Sequence, residues 1–246
     1  MGPSLTDFAE GHIQTDPWKW PIKNFKAILS GLVADYGLKS ALEVGGGRKP
    51  LFTREEAEAL GLDYTVNDIS QLELDRAPEW VGKRNFDIGG DVNPGRRYDL
   101  IFSKFVMEHV RRADVAYRNM HAMLNPGGVC INLHPTLFSP PYLVNLVIPE
   151  HWAARVLRRF HPRRHDGDIP KFPAYYRLCR STDGVRRAIQ GIGFQDVHIV
   201  PIYGHGYFQR IPILREIDAF ITDVAKARDY RPLSSYALTL ARKGES

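Results

Sequence analysis

LEVGGGRKP, residues 42–50, decides the fold. It joins a short apolar strand, SALEV at 40–44, to three consecutive glycines. Upstream, IKNFKAILSGLVADYG at 22–37 spaces its apolar residues as a helix does and stops at glycine. Downstream, Thr53-Arg54-Glu55-Glu56 is a capping box that opens a helix reaching about Leu60. The alternation continues. LDYTVND (62–68) is the second strand, RNFDI (84–88) the third and YDLIFS (98–103) the fourth. FVMEHVRRADVAYRNMHAML (105–124) follows as an amphipathic helix, and the turn Asn125-Pro126-Gly127-Gly128 leads to a fifth strand, VCINLH (129–134). Residues 135–180 break the rhythm with proline, aromatics and arginine, and carry one helix near 149–160. It resumes at Ser181-Thr182-Asp183, which caps a helix running to Gly191 or Gly193. DVHIVPIYG (196–204) and SSYALTLARK (234–243) are the last strands, with a helix at 211–227 between them. Strand and helix in this order imply an α/β fold: a mostly parallel sheet covered on both faces. We expect one domain over 1–246, with an insertion at 135–180 after strand five and a second at 205–233.

Bulk properties narrow the class. The 246 residues are enough to bury a sizeable core, and 43% hydrophobic with 25% charged residues suits a soluble globular protein. The apolar runs are strand-sized, so no membrane span is expected. The beginning, MGPSLTDFAEGH, has no basic segment followed by an apolar run, so no secretory leader is expected. Only Cys130 and Cys179 occur, which suggests no disulfide framework and a cytoplasmic setting. The net charge of +5 is uneven, because Arg155, Arg158, Arg159, Arg163 and Arg164 cluster. That cluster is either a solvated helix face or a meeting point for phosphate, acidic lipid or an anionic substrate. An RNA-binding protein would interleave aromatics with its basic residues, and only Trp152 and Phe160 lie nearby, so nucleic acid is the weaker partner. The apolar helix at 211–224 offers a surface for a homodimer.

In open α/β sheets ligands sit beyond the carboxyl ends of the strands. Gly45, Gly46 and Gly47 fall there and let a ligand approach the backbone. Glu43 stands before them, where a carboxylate would repel the pyrophosphate of a dinucleotide and favour a cationic amine instead. Asp68, 25 residues on, suits the hydroxyls of a ribose. A ribose with a cationic amino-acid end and no phosphate describes S-adenosylmethionine. Taken together, LEVGGGRKP, NDIS, FDIGGDV, YDLIFSKFVMEHV and LNPGGVCINLH resemble, in order, the motifs of class I S-adenosylmethionine-dependent methyltransferases. The resemblance covers residues 38–134 closely and 194–243 loosely. It implies a Rossmann-like class I methyltransferase fold with a seven-stranded sheet. It also implies cofactor contacts from Glu43, Gly45, Gly46, Gly47, Asp68, Ser103 and Lys104, with Asp87 or Asp91 on the adenine side. The chain departs from the pattern at Lys49, where the family often has another glycine, and Lys49 is a candidate counter-ion for the methionine carboxylate.

A hydroxyl acceptor must lose a proton, so a base or a metal is useful. His109, on the inward face of the helix after strand four, and His134, at the end of strand five, are the candidate catalytic residues. Glu108-His109 matches the end of a Glu-x-x-Glu-His pattern carried by metal-binding members of the family, so Glu108, His109 and His134 are candidates for a divalent ion, with Phe105 where the first glutamate would stand. The alternatives are that Glu108 serves the helix terminus and that His109 packs or touches the donor without moving a proton. Tyr142, Tyr175 and Tyr176 are candidate acceptor contacts. Ser139-Pro140-Pro141-Tyr142 matches a motif of amino-methylating enzymes, but there it follows strand four, and here it follows strand five. It therefore reads as the hinge of an acceptor-covering insertion. The His-Pro after strand five and the later Phe-Pro-Ala-Tyr-Tyr are similar to bacterial glycan and polysaccharide O-methyltransferases. The expectation is O-methyl transfer to a polar small molecule, a sugar first. N- or C-methylation of an aromatic, lipid or natural-product acceptor is the alternative.

Overall fold

The computed structural model describes residues 2–137, 173–209 and 212–245. Three helices open the chain: α1 (Leu5–His12), α2 (Lys19–Lys23) and α3 (Phe25–Tyr36). α3 ends at Gly37, whose φ of 64° no β-carbon opposes. Then come β1 (Ser40–Val44), α4 (Arg54–Leu60), β2 (Asp63–Asp68), α5 (Gln71–Asp75), β3 (Gly82–Asn85) and β4 (Tyr98–Lys104). α4 carries the expected capping box, Thr53 with Glu56. After β4 stand a short 3₁₀ turn (Met107–His109), α6 (Ala113–Met123), β5 (Leu124–Pro135), α7 (Asp183–Gln190), β6 (Phe194–Ile202), α8 (Pro212–Ala227) and β7 (Tyr236–Lys243).

The sheet has seven strands in the order β3-β2-β1-β4-β5-β7-β6. Those from β3 to β5 are parallel, and β7 runs antiparallel between β5 and β6. Strand alternation sorts the core into two layers. Ala41, Leu100, Phe102, Val129 and Ile131 meet α1, α3 and α4 on one face, through Phe8, Leu29 and Ala57. Leu42, Val44, Ile101 and Cys130 meet α6 and α7 on the other, through Tyr117, Met120 and Ile189. The order reverses between β1 and β4, which opens the crevice where the glycine loop sits.

Three expectations are corrected. The helix expected over 105–124 is interrupted: Phe105 adopts a left-handed φ of 59° while its N–H still pairs with Leu133 of β5, and Val110 is extended. Strand three ends at Asn85, so Phe86–Ile88 leave the sheet. The Asn125–Gly128 turn is an irregularity within β5, which already pairs at Leu124 with Tyr98. Among the described residues no helix is long and apolar enough to cross a membrane.

Candidate active site

The glycine loop is docked on β2. The N–H groups of Gly45 and Gly46 both donate to the carbonyl of Asn67, at 2.8 and 3.1 Å. Asn67 in turn donates its side-chain amide to the carbonyls of Arg84 and Phe86, tying the β2 edge to β3. Gly45 has φ 76°, and a β-carbon there would stand 2.5 Å from Val106. Gly47 has φ 47°, and a β-carbon there would reach 3.0 Å from Asp68 Oδ2. Glycine at these two positions therefore lets the loop pack closely against Val106 and Asp68.

Beside the loop lies a cavity of about 400 Å³ lined by residues from the ends of β1, β2, β3 and β4. On the β2 and β3 side stand Asp68, Ile69, Phe86 and Asp87; beyond β4 stand Phe105, Val106, His109 and Arg111. Asp68 accepts the N–H of Ser70 through Oδ1 at 2.8 Å, leaving Oδ2 toward Gly47. Burial, with a smaller contribution from the charge of Glu73, pushes its carboxyl above the ordinary aspartate range. Ile69 is 58% exposed and Phe86 lies beside it in the lining, an apolar surface next to an acid. A flat apolar base against Ile69 and Phe86, with ribose hydroxyls on Asp68, fits this arrangement, so the residues present suit S-adenosylmethionine.

Several expected contacts lie elsewhere. Glu43 is buried beneath the loop: its Oε2 accepts the N–H of Leu51 at 2.9 Å and the hydroxyl of Tyr64. Burial raises its carboxyl above the usual range, opposed by the bonds from Tyr64 and Leu51 and by Lys104. Glu43 thus props the loop and does not line the cavity. Ser103 is in the core, donating to Asn132 at 2.7 Å. Lys104 donates to the carbonyl of Ile22 at 2.9 Å, tying β4 to α2. Lys49 is exposed and, like Asp91, stands outside the cavity lining, whereas Asp87 is part of it.

His109 and His134 part company. β5 pairs with β7, placing His134 opposite Ala237 with no exposed surface. Its ring contacts Thr239 Oγ1 at 3.0 Å and its neighbour's carbonyl at 3.1 Å, and burial pushes it down to about 4, so it stays neutral near pH 7. His134 is a core residue, and its burial keeps it from serving as the expected base. His109 lines the cavity, and its Nδ1 lies 3.1 Å from the carbonyl of Pro173. Among the described residues no three His, Cys, Asp or Glu side chains gather to hold a metal ion, and Glu108 Oε1 stands 3.9 Å from His109 Nε2. The described residues therefore do not form the expected Glu108, His109 and His134 set.

Tyr175 joins Phe105 and Pro173 at the cavity and is 40% exposed. Tyr176 is buried behind it, with φ 50°. Tyr142, the Ser139–Tyr142 hinge and the arginine cluster at 155–164 lie outside the described residues. Sequence reasoning missed Ile69, Phe86 and Arg111. An apolar residue directly after the acid of strand two was the available signal for Ile69.

A family model described as a methyltransferase domain matches residues 24–198. No curated protein matches the sequence. Among solved structures, a phosphoethanolamine N-methyltransferase 2 of Haemonchus contortus, in complex with phosphomonomethylethanolamine and S-adenosylhomocysteine, is similar with a TM-score of 0.51 at 15% identity; the match covers 84% of this chain and 49% of that one. The chain thus spans about half the length of that enzyme. An S-adenosylmethionine-dependent methyltransferase from Mesorhizobium loti matches with a TM-score of 0.51 at 20% identity, over 84% of this chain and 91% of that one. A sarcosine dimethylglycine methyltransferase assigned in Galdieria sulphuraria matches with a TM-score of 0.53 at 14% identity, over 90% and 86%.

Proposed function

Because the chain belongs to the class I S-adenosylmethionine-dependent methyltransferase family, we propose that it methylates a hydroxyl of a polar small molecule, with a sugar as the acceptor class. S-adenosylmethionine, when bound, supplies an electrophilic methyl group. The chain's own residues hold and orient the reactants, which accounts for most of the rate in such a transfer. In this reading Asp68 takes the ribose hydroxyls, Ile69 and Phe86 cover the base, and Asp87 is the adenine-side acid, in preference to Asp91.

The observation that carries the hydroxyl reading is the contact between His109 and Pro173. A carbonyl only accepts, so Nδ1 donates to Pro173 and the ring's other nitrogen, Nε2, is its basic position. An imidazole fixed in this tautomer beside the cavity is a base for a hydroxyl. Phe105 and Tyr175 flank it and offer ring faces on which a sugar can lie. A nitrogen acceptor is the second reading, because a structural neighbour is an N-methyltransferase. The insertion over 135–180 is proposed to complete the acceptor side.

The test is methyl transfer from labelled S-adenosylmethionine to a panel of methyl glycosides, phenolic glycosides and primary amines, with and without EDTA. Transfer to glycosides that persists in EDTA and is lost in His109→Ala supports the reading. Transfer confined to amines, or unaffected by His109→Ala, removes it.

A further inference from the structure

Glu108 stands in the Met107–His109 turn with 5% of its surface exposed, and its Oε2 reaches no hydrogen-bond partner among the described residues. A buried carboxyl left in this way costs stability, and burial pushes it up to about 7. Its setting is tightly built. The carbonyl of Glu108 accepts the N–H groups of Tyr175 at 2.7 Å and Tyr176 at 3.2 Å, so the acceptor-side segment is pinned to this turn. Pro173 of the same segment holds His109 Nδ1. Phe105, Tyr176 and Leu178 all adopt left-handed backbone, with φ of 59°, 50° and 59°. A carboxyl oxygen without a partner, next to strained backbone at Phe105 and Tyr176, is a costly arrangement that packing alone does not reward.

We infer that Glu108 is a positioning residue for His109: its ionised carboxylate, with Oε1 3.9 Å from Nε2, favours the imidazolium that forms when Nε2 takes the acceptor proton. The inference rests on the reading of His109 as the base. In the step, the acceptor O–H bond breaks and an Nε2–H bond forms. The oxygen pair bonds the methyl carbon while the C–S pair stays on sulfur, and the proton remains on Nε2 beside Glu108 until it passes to solvent. The other titratable groups that bear on Glu108 are Tyr176 and Cys179, both buried and both raised by that burial.

Glu108→Gln and His109→Ala, assayed with the glycoside panel, separate the claims. For Glu108→Gln we expect kcat to fall roughly 10- to 100-fold, while S-adenosylmethionine affinity by calorimetry changes less than about twofold. The melting temperature should hold or rise, because a neutral amide replaces an unsatisfied acid. Wild-type kcat in Glu108→Gln with an inactive His109→Ala overturns this inference alone. Wild-type kcat in His109→Ala, or no glycoside turnover by the wild-type protein, overturns the base reading and this inference with it. A Glu108→Gln protein that melts lower and binds the donor weakly marks a structural residue and also overturns the inference.

Discussion

Glu108→Gln should change how stability depends on pH, and by a calculable amount. Burial raises the carboxyl from 4.5 to about 7. The folded state therefore holds this proton more tightly than the unfolded chain does. The stability that the proton linkage contributes is fully present below about pH 4.5 and is lost as pH rises through about 7. At about 1.4 kcal/mol per unit, the full loss is about 3 kcal/mol. Glutamine has the same shape and no proton to lose. The variant minus wild-type difference should therefore be small at pH 5 and grow toward about 3 kcal/mol in favour of the variant at pH 8. For a chain of this size that corresponds to roughly 6–12 °C in melting temperature. Urea denaturation of both proteins between pH 5 and 8 measures it, and titrations common to both cancel in the difference. A difference that stays flat with pH, or that favours the wild-type protein at pH 8, would show that Glu108 is solvated or paired and that the linkage is absent.

The loop and its supports yield three further expectations. Gly45→Ala puts a methyl 2.5 Å from Val106 at a φ of 76°, so donor affinity should fall at least about tenfold by calorimetry. Asp68→Ala should weaken donor binding by roughly 1–3 kcal/mol, whereas Asp91→Ala, outside the cavity, should leave it near the wild-type value; equal effects would contradict the assignment. Tyr64→Phe leaves the Glu43 carboxylate buried without its hydroxyl donor and should cost roughly 1–3 kcal/mol in denaturant unfolding.

Legibility in the sequence tracks the range of the interactions. The β1 glycine loop, the Thr53 capping box, β4 and Asp68 are written in adjacent residues, and the sheet was readable from them. His134 was not, because strand alternation places it at the ligand edge while its burial depends on β7, over a hundred residues later in the chain. Lys104 was misplaced for the same reason, since its partner is the carbonyl of Ile22. The helix expected from Phe105 fails because one non-glycine residue adopts left-handed backbone, which spacing cannot reveal. Glu43, expected to meet the cofactor's amine, lies under the loop because its contacts to Leu51 and Tyr64 bury it there.

The proposed chemistry turns on the methyl group ending on oxygen. S-adenosylmethionine labelled with carbon-13 in the methyl group, offered with the glycoside and amine panel together, answers this once NMR and mass spectrometry identify whatever carries the label. The expected product is a methyl ether on a sugar hydroxyl, formed by the wild-type protein and lost in His109→Ala. A label found on nitrogen, or an ether formed equally well without His109, would contradict it.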